Sequence, residues 1–358
     1  MKAHKRTEMP SSMRAVQITK FGPPKVLKIC ELPIPEVHDG DVLVRVKAIG
    51  MNFADVFARL GYYPGIPKPP FVPGIEFSGI VERVGKSVRT VKKGDRVLGF
   101  SRQTAYAEFV SVPSQLLNAM PRSMSFEDAA AFGVTALTAH HALVTLGQIA
   151  KGETLLLHAA AGGVGTAALQ IARHLGVQVY ATVGSNAKIQ VVQELGAFRV
   201  INYTEEDFAE IIRRETSGKG VDVVLDSVGG RVLRKGWKLL APMGRYVLFG
   251  FAAVADKKGV PKMKAVIEVA STPLIYPQSI VHRNVSLMGF NLYFLLDKAS
   301  FLQKTMKKLL GWYAKGVLKP VVGAVYPFEK IQEAHEFLQS RRSVGKVVVT
   351  LGGEKRES

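Results

Sequence analysis

The sequence predicts an α/β chain of two domains, a β-rich one followed by a doubly wound parallel sheet. Three observations carry this. The chain has 358 residues, more than the ~100–200 of one ordinary domain. Its hydrophobic pattern changes near residue 130, from alternating strands between turn clusters to apolar β-branched runs separated by helical stretches. A glycine turn, Ala159-Ala160-Ala161-Gly162-Gly163-Val164-Gly165, stands between one such run and a helix, the context a dinucleotide fingerprint requires.

The elements follow in order. Alternation begins near Met13, and Val42–Ala48 reads as a half-buried strand. Gly22-Pro23-Pro24, Pro33-Ile34-Pro35 and His38–Asp41 are turn clusters, and short strands lie between glycines at 79–85 and 94–99. Residues 13–125 therefore read as all-β. The stretch 129–150 carries no Asp, Glu, Lys or Arg. His140, His141, Gly133 and Gly147 within it, and Lys151-Gly152-Glu153 after it, favour a buried helix leading into a strand over a membrane span. Runs at 154–158, 177–182, 200–202, 221–226 and 245–249 alternate with helices at 167–175, 186–195, 205–215 and 232–240. Such βαβ repetition gives a parallel sheet covered on both faces. A helix-like stretch, 266–281, precedes one more strand at 285–289. Residues 301–313 then form a helix with Leu302, Met306, Leu309, Leu310 and Tyr313 on one stripe.

Composition limits the function. Hydrophobic residues make up 47% and charged residues 22%, an ordinary globular balance. The single cysteine, Cys30, excludes a disulfide framework within the chain and any cluster of Cys zinc ligands. No apolar stretch follows the charged N-terminal residues, so no secretory signal is expected and the compartment is read as cytoplasmic. The net charge of +19 raises nucleic acid and anionic membrane as partners. The excess is spread evenly, however, and no basic groove with interleaved aromatics is visible, which disfavours nucleic acid. One concentration stands out. Arg231–Lys264 holds nine basic residues against Asp256 alone, beside the apolar 270–281 stretch, and peripheral contact with an anionic membrane is weighed on that basis.

The glycine turn is read physically. Gly162 lets the backbone approach a pyrophosphate, and Gly165 lets the helix pack close to its strand. The helix N-terminus offers unpaired N–H groups. Ala160 stands where the first glycine of G-x-G-x-x-G is expected. NAD sites usually end the second strand with an acidic residue for the ribose hydroxyls. Here the strand ends Thr182-Val183-Gly184-Ser185, followed by Lys188. Ser185 and Lys188 suit a 2′-phosphate, so NADPH is the expected cofactor.

Several motifs then carry a family resemblance over residues 13–350: Met51-Asn52-Phe53-Ala54-Asp55, Gly61-Tyr62-Tyr63-Pro64, Pro73-Gly74-Ile75-Glu76-Phe77-Ser78-Gly79, the glycine turn, Val200-Ile201-Asn202-Tyr203 and Asp226-Ser227-Val228-Gly229-Gly230. With these the chain resembles the medium-chain dehydrogenase/reductase superfamily, and within it the zinc-free quinone oxidoreductases. Leu318-Lys319-Pro320, Tyr326–Lys330 and Val344–Val347 look like the branch that contains the synaptic vesicle membrane proteins. The resemblance implies a GroES-like catalytic domain (13–133 with 286–350), a Rossmann cofactor domain (134–285) and tails at 1–12 and 351–358.

The alcohol dehydrogenases of that superfamily hold catalytic zinc with a Cys where this chain has Asn52 and a His where it has Ile75, so zinc is not expected. Without a Lewis acid, the expected acceptor is a quinone or an activated α,β-unsaturated carbonyl (an enone or alkenal), with enoyl-thioesters as the rival class. A cofactor-binding protein with little turnover, associated with membrane, is the alternative outside enzymology.

Tyr63 resembles the proton-donating tyrosine of enoyl-thioester reductases, and packing is its other reading. Asn52 and Asp55 match residues lining the nicotinamide pocket. Asn52 is read as a hydrogen-bond partner for a quinone oxygen, and Asp55 as a catalytic, orienting or structural carboxylate. Arg59 is either a surface residue or a charge biasing the cleft toward anions. For the cofactor, the resemblance implies Thr135 at the nicotinamide, with Ala160, Gly162, Gly163, Val164 and Gly165 at the pyrophosphate. It also implies Gly184, Ser185, Lys188 and Tyr203 at the adenosine side, and Phe249, Phe290, Asn291, Arg341 and Lys346 along the cleft. Lone histidines are read as satisfied structural groups. A homodimer through the edge strand near 285–292 is expected.

Overall fold

The computed structural model describes residues 10–255 and 260–352. The expected tails lie largely outside the described residues, as do Lys257 and Lys258 of the basic stretch. In chain order, β1 (Ser12–Ile18) and β2 (Leu27–Pro33) form a hairpin, followed by β3 (Asp41–Met51), α1 (Phe53–Leu60), β4 (Glu76–Val84), β5 (Arg96–Phe100), β6 (Phe109–Pro113) and β7 (Leu117–Ala119). The all-β reading of 13–125 misses α1. A short amphipathic helix starts at Asn52, where the Asn52 side chain and Asp55 form a capping box, and Gly61 ends it in the left-handed region.

Next, α2 (Phe126–His140) runs on through a wider π-type turn to Leu146. The 21-residue segment Phe126–Leu146 is long and apolar enough to cross a membrane, but 78% of its most apolar window is buried inside the protein. It is a core helix, as the sequence predicts. The remaining elements are β8 (Thr154–Leu157), α3 (Gly163–Leu175), β9 (Gln178–Val183), α4 (Ile189–Glu194), β10 (Arg199–Asn202), α5 (Phe208–Glu215), β11 (Val221–Asp226), α6 (Arg231–Trp237), β12 (Leu240–Leu248), α7 (Lys262–Ser271), α8 (Pro277–Arg283), β13 (Ser286–Gly289), α9 (Leu292–Leu295), α10 (Ala299–Ala314), β14 (Val322–Pro327), α11 (Ile331–Gln339) and β15 (Lys346–Thr350).

Six strands make the parallel sheet, in the order β10-β9-β8-β11-β12-β13. The order reverses between β8 and β11, the switch point at which such sheets open a ligand crevice. Leu155, Leu156, Leu157, Val223, Val224 and Leu225 in its two central strands are fully buried, as both-face coverage demands. Ser286–Gly289 pairs in parallel with β12, so sheet membership carries the cofactor domain beyond the boundary expected at 285. Helix α10 packs on α2 and shares the same core, and the chain rejoins the first domain only at β14. The helix-like 266–281 stretch divides into α7 and α8 around Pro273, which cannot continue a helix.

The second sheet runs β14-β15-β3-β4-β5-β7, with β6 also on β3. Its register builds one corner of the site. Val347 pairs with Met51 and Ile49 with Phe77. Asn52 at the end of β3, Glu76 at the start of β4 and Lys346 at the start of β15 therefore come level, under α2.

Candidate active site

The glycine turn follows β8 at the switch point. Gly162 caps α3 in extended conformation. The amides of Gly163, Val164 and Gly165 precede the first helical bond, from the Thr166 N–H to the Gly162 carbonyl at 2.8 Å. A Cβ at Gly165 would stand 2.4 Å from the Ala160 carbonyl oxygen and 2.6 Å from that of Ala159, so only glycine lets the turn fold against its helix. Ala159 itself has φ +53°, a conformation a glycine would hold at lower cost. Ala160 is buried and donates to the Thr182 carbonyl (3.1 Å). Three open amides and the positive end of a 13-residue helix fit a dinucleotide pyrophosphate.

The end of β9 fits the adenosine side. Ser185 and Lys188 stand half-buried where the chain leaves the strand, and burial lowers the Lys188 pKa from its ordinary value. The Lys188 ammonium donates to the Arg341 carbonyl (2.6 Å). Arg341, at φ +60°, sends its guanidinium to the carbonyls of Ala252 (2.5 Å) and Ala255 (2.8 Å). The two basic residues are thus brought together, clipping three loops around the crevice mouth. The Tyr203 hydroxyl lies over Gly184, where a Cβ would meet it at 2.5 Å. The ring is 50% exposed, free to stack on a planar ligand.

At the reacting end the sheet corner forms a network. Asn52 Oδ1 accepts from Lys346 Nζ (2.5 Å), and Asn52 Nδ2 donates to Glu76 Oε1 (2.9 Å) and the Gly50 carbonyl (3.2 Å). Glu76 is in contact with the Lys346 ammonium and accepts the Val134 amide of α2 at 2.8 Å. Both ends of the Asn52 side-chain amide are therefore engaged within the protein. Glu76 is a site residue the sequence reading passed over. Its signal was a carboxylate set between Ile75 and Phe77 in an apolar strand. Thr135 sits beside this corner, its methyl 2.9 Å from a Cβ placed on Gly163. Its hydroxyl turns back to the carbonyls of Ala131 (2.7 Å) and Phe132 (3.1 Å).

Asp55 is fully buried. Its Oδ2 accepts from the Asn52 amide (2.7 Å) and the Tyr106 hydroxyl (3.2 Å), while Oδ1 has no partner among the described residues. Burial pushes its pKa up to about 7 against the pull of the Asn52 amide and Lys346. Tyr63 donates to Asn291 Oδ1 (2.9 Å) and meets Tyr293 edge-on at 5.7 Å. Burial raises its pKa to about 12, so the phenol keeps its proton at any physiological pH. Phe249 and Phe290 stack at 6.0 Å, with His141 on the edge of Phe290 at 4.7 Å.

Arg59 is neither exposed nor in the cleft. It is fully buried and donates to the carbonyl of Gly22 and to Gln339 Oε1, both at 2.5 Å. His140, His141, His158 and His335 are buried but not all satisfied: among the described residues, both ring nitrogens of His140 and of His335 lack partners. Burial drives the His140 pKa down to about 4, so the ring packs as a neutral aromatic against Trp312 at 5.8 Å. Among the described residues, no group of three or more His, Cys, Asp or Glu is placed to hold a metal.

Comparison with known proteins bears on the family and the fold. The family described as "Alcohol dehydrogenase GroES-like domain" matches residues 38–122, and "Zinc-binding dehydrogenase" matches 195–349. The chain is 36% identical over 350 residues to the rat (Rattus norvegicus) synaptic vesicle membrane protein VAT-1 homolog, covering 96% of this chain and 85% of that protein. It is 32% identical over 347 residues to the human (Homo sapiens) quinone oxidoreductase, covering 95% of this chain and 98% of that one. The crystal structure of Escherichia coli quinone oxidoreductase complexed with NADPH superposes with a TM-score of 0.84 at 32% identity, over 94% of this chain and 99% of that chain. The chain belongs to the medium-chain dehydrogenase/reductase superfamily, in the group of the quinone oxidoreductases and VAT-1 homologues.

Proposed function

We propose that this chain is a cytoplasmic, NADPH-dependent and zinc-independent oxidoreductase that reduces a quinone or an activated α,β-unsaturated carbonyl. The observation that carries this is the corner network. Glu76 is committed to the Lys346 ammonium and two amides, and Asn52 to Lys346, Glu76 and Gly50. An ion pair fills this corner, and an acceptor beside it takes charge through hydrogen bonds alone. Quinones and conjugated double bonds accept on those terms, because the charge that hydride brings is spread over the conjugated system.

When bound, NADPH supplies the hydride. The chain's own residues do the rest. The Gly163, Val164 and Gly165 amides hold the pyrophosphate, and Ser185 and Lys188 hold the 2′-phosphate, Lys188 exchanging the Arg341 carbonyl for a stronger charge-assisted partner. Tyr63 keeps its proton on the Asn291 oxygen. An acceptor oxygen that replaces Asn291 as its partner receives that hydrogen bond, and the proton with it, as charge develops.

The test is NADPH consumption over a panel of quinones, alkenals and enoyl-CoA. We expect turnover on one class, lowered about 10²-fold or more by Tyr63→Phe. Lys188→Ala should raise KM for NADPH about tenfold and leave that for NADH unchanged. Binding of NADPH with no acceptor consumed defeats the proposal.

A second reading has an observation of its own. Met263, Val266, Val269, Leu274 and Val281 on α7, α8 and their connection are exposed, near Arg231 and Lys264. Such a face suits an anionic lipid surface. It adjoins the open edge of β13, through which we propose a homodimer, so the two uses compete. Binding to anionic vesicles that charge reversal at Arg231 and Lys264 leaves unchanged would remove the lipid reading.

A further inference from the structure

Lys346 lies on the seam between the domains. Its strand belongs to the catalytic sheet. The residue before it, Gly345, donates its amide to the Ala161 carbonyl of the glycine turn at 2.7 Å and bridges Gly162. The Lys346 stem follows the turn, with Cδ 3.4 Å from where a Cβ on Gly163 would stand. A lysine so placed invites the role of phosphate ligand. Its ammonium, however, goes to Asn52 Oδ1 and to Glu76, and only 4% of the residue is exposed. The arrangement admits one orientation of the Asn52 amide. Turned over, its nitrogen would face the ammonium and its oxygen would face the carboxylate.

We propose that Lys346 is a positioning residue of the reacting centre and not a ligand of the dinucleotide phosphates. This rests on the oxidoreductase reading above. Its stem spaces the glycine turn, and its charge fixes the Asn52 and Glu76 side chains beneath α2. That charge also acts on Asp55, which shares the corner. Asp55 is faced by the Asn52 amide and the Tyr106 hydroxyl directly, and by Lys346 and Glu76 through their charges. Tyr63 feels the Asp55 charge. Arg59 lies one turn along α1, and the His335 ring of α11 meets Tyr106 at 5.8 Å. Without Lys346, the charge that lowers the Asp55 pKa is lost and the Glu76 charge that raises it stays.

The test compares Lys346→Met, Lys346→Arg and the double variant Lys346→Met/Glu76→Gln, in which Glu76 no longer leaves a buried charge unpaired. NADPH affinity is read by fluorescence titration, and the Asp55 carboxyl by carbon-13 NMR titration of the cofactor-free protein. We expect NADPH Kd within about threefold of wild type in all three. The Asp55 midpoint should rise by about one pH unit or more in Lys346→Met and return in Lys346→Arg. At saturating NADPH, kcat should fall about tenfold or more in Lys346→Met, with KM for NADPH little changed.

A Kd raised tenfold or more with kcat intact makes Lys346 a phosphate ligand and overturns the proposal, as does an Asp55 titration that Lys346→Met leaves in place. Should Lys346→Met not fold, the affinity of the double variant decides. The affinity and NMR arms use no acceptor. They therefore judge Lys346 separately from the oxidoreductase reading, which fails only if the wild type consumes no acceptor.

Discussion

Asp55 shows how one buried carboxyl serves two ends. It caps α1 through the Asn52 amide and leaves Oδ1 without a partner among the described residues, so its ionised form is costly. Its folded pKa, about 7, lies above the ordinary aspartate value of 3.8. The folded state therefore holds a proton that the unfolded chain releases. The stabilisation from this group is complete below pH ~4 and is lost as pH rises through about 7, a change on the order of 4 kcal/mol. His140 acts in the opposite sense, since its lowered pKa favours the fold as pH rises from about 4 toward 6.5. The Asp55 effect is thus read by difference. Thermal melts of Asp55→Asn against wild type should show the variant gaining relative stability between pH 5 and pH 8, and a constant difference would refute the assignment. None of this was legible in the sequence. Asn52 and Asp55 stood out as site residues, but burial, the Tyr106 contact and the engagement of both ends of the Asn52 amide depend on strands far apart in the chain.

At the scale of elements, the glycine turn was the clearest feature, because the physics that binds a pyrophosphate also shapes the local sequence. Gly165 is required by two carbonyl oxygens within 2.6 Å of a Cβ. Gly165→Ala should push α3 off β8, lower stability by about 1–3 kcal/mol and weaken NADPH binding about tenfold or more. Unchanged denaturant midpoint and unchanged affinity would show that the turn relaxes freely. The parallel sheet was likewise legible, its central strands carrying apolar runs at 155–157 and 223–225. Helix α1 was not, since eight residues give barely two turns of periodicity. Lys188 and Arg341 were each visible as cleft residues, yet their union through the Arg341 carbonyl follows from a left-handed backbone that no pattern announces.

At the scale of the molecule, the glycine turn at the switch point between β8 and β11 meets the corner where β3 ends and β4 and β15 begin, through the Gly345 amide on the Ala161 carbonyl, so the two halves of the candidate site come from different sheets. The edge of β13 and the apolar face of α7 and α8 are left uncovered, and large exposed apolar surfaces mark partners. We expect light scattering to report about twice the 39.0 kDa chain mass, and a Leu287→Lys substitution on that edge to yield monomers. A monomeric wild type would return the face to the lipid reading. Direct hydride delivery to a conjugated acceptor is best measured with NADPH deuterated at the transferring position, offered with an α,β-unsaturated ketone and, in parallel, with a quinone. We expect either a saturated ketone carrying one deuterium at the β-carbon or hydroquinone formed at the expense of the labelled cofactor. A protein that binds the labelled NADPH and reduces neither acceptor would overturn the proposed activity.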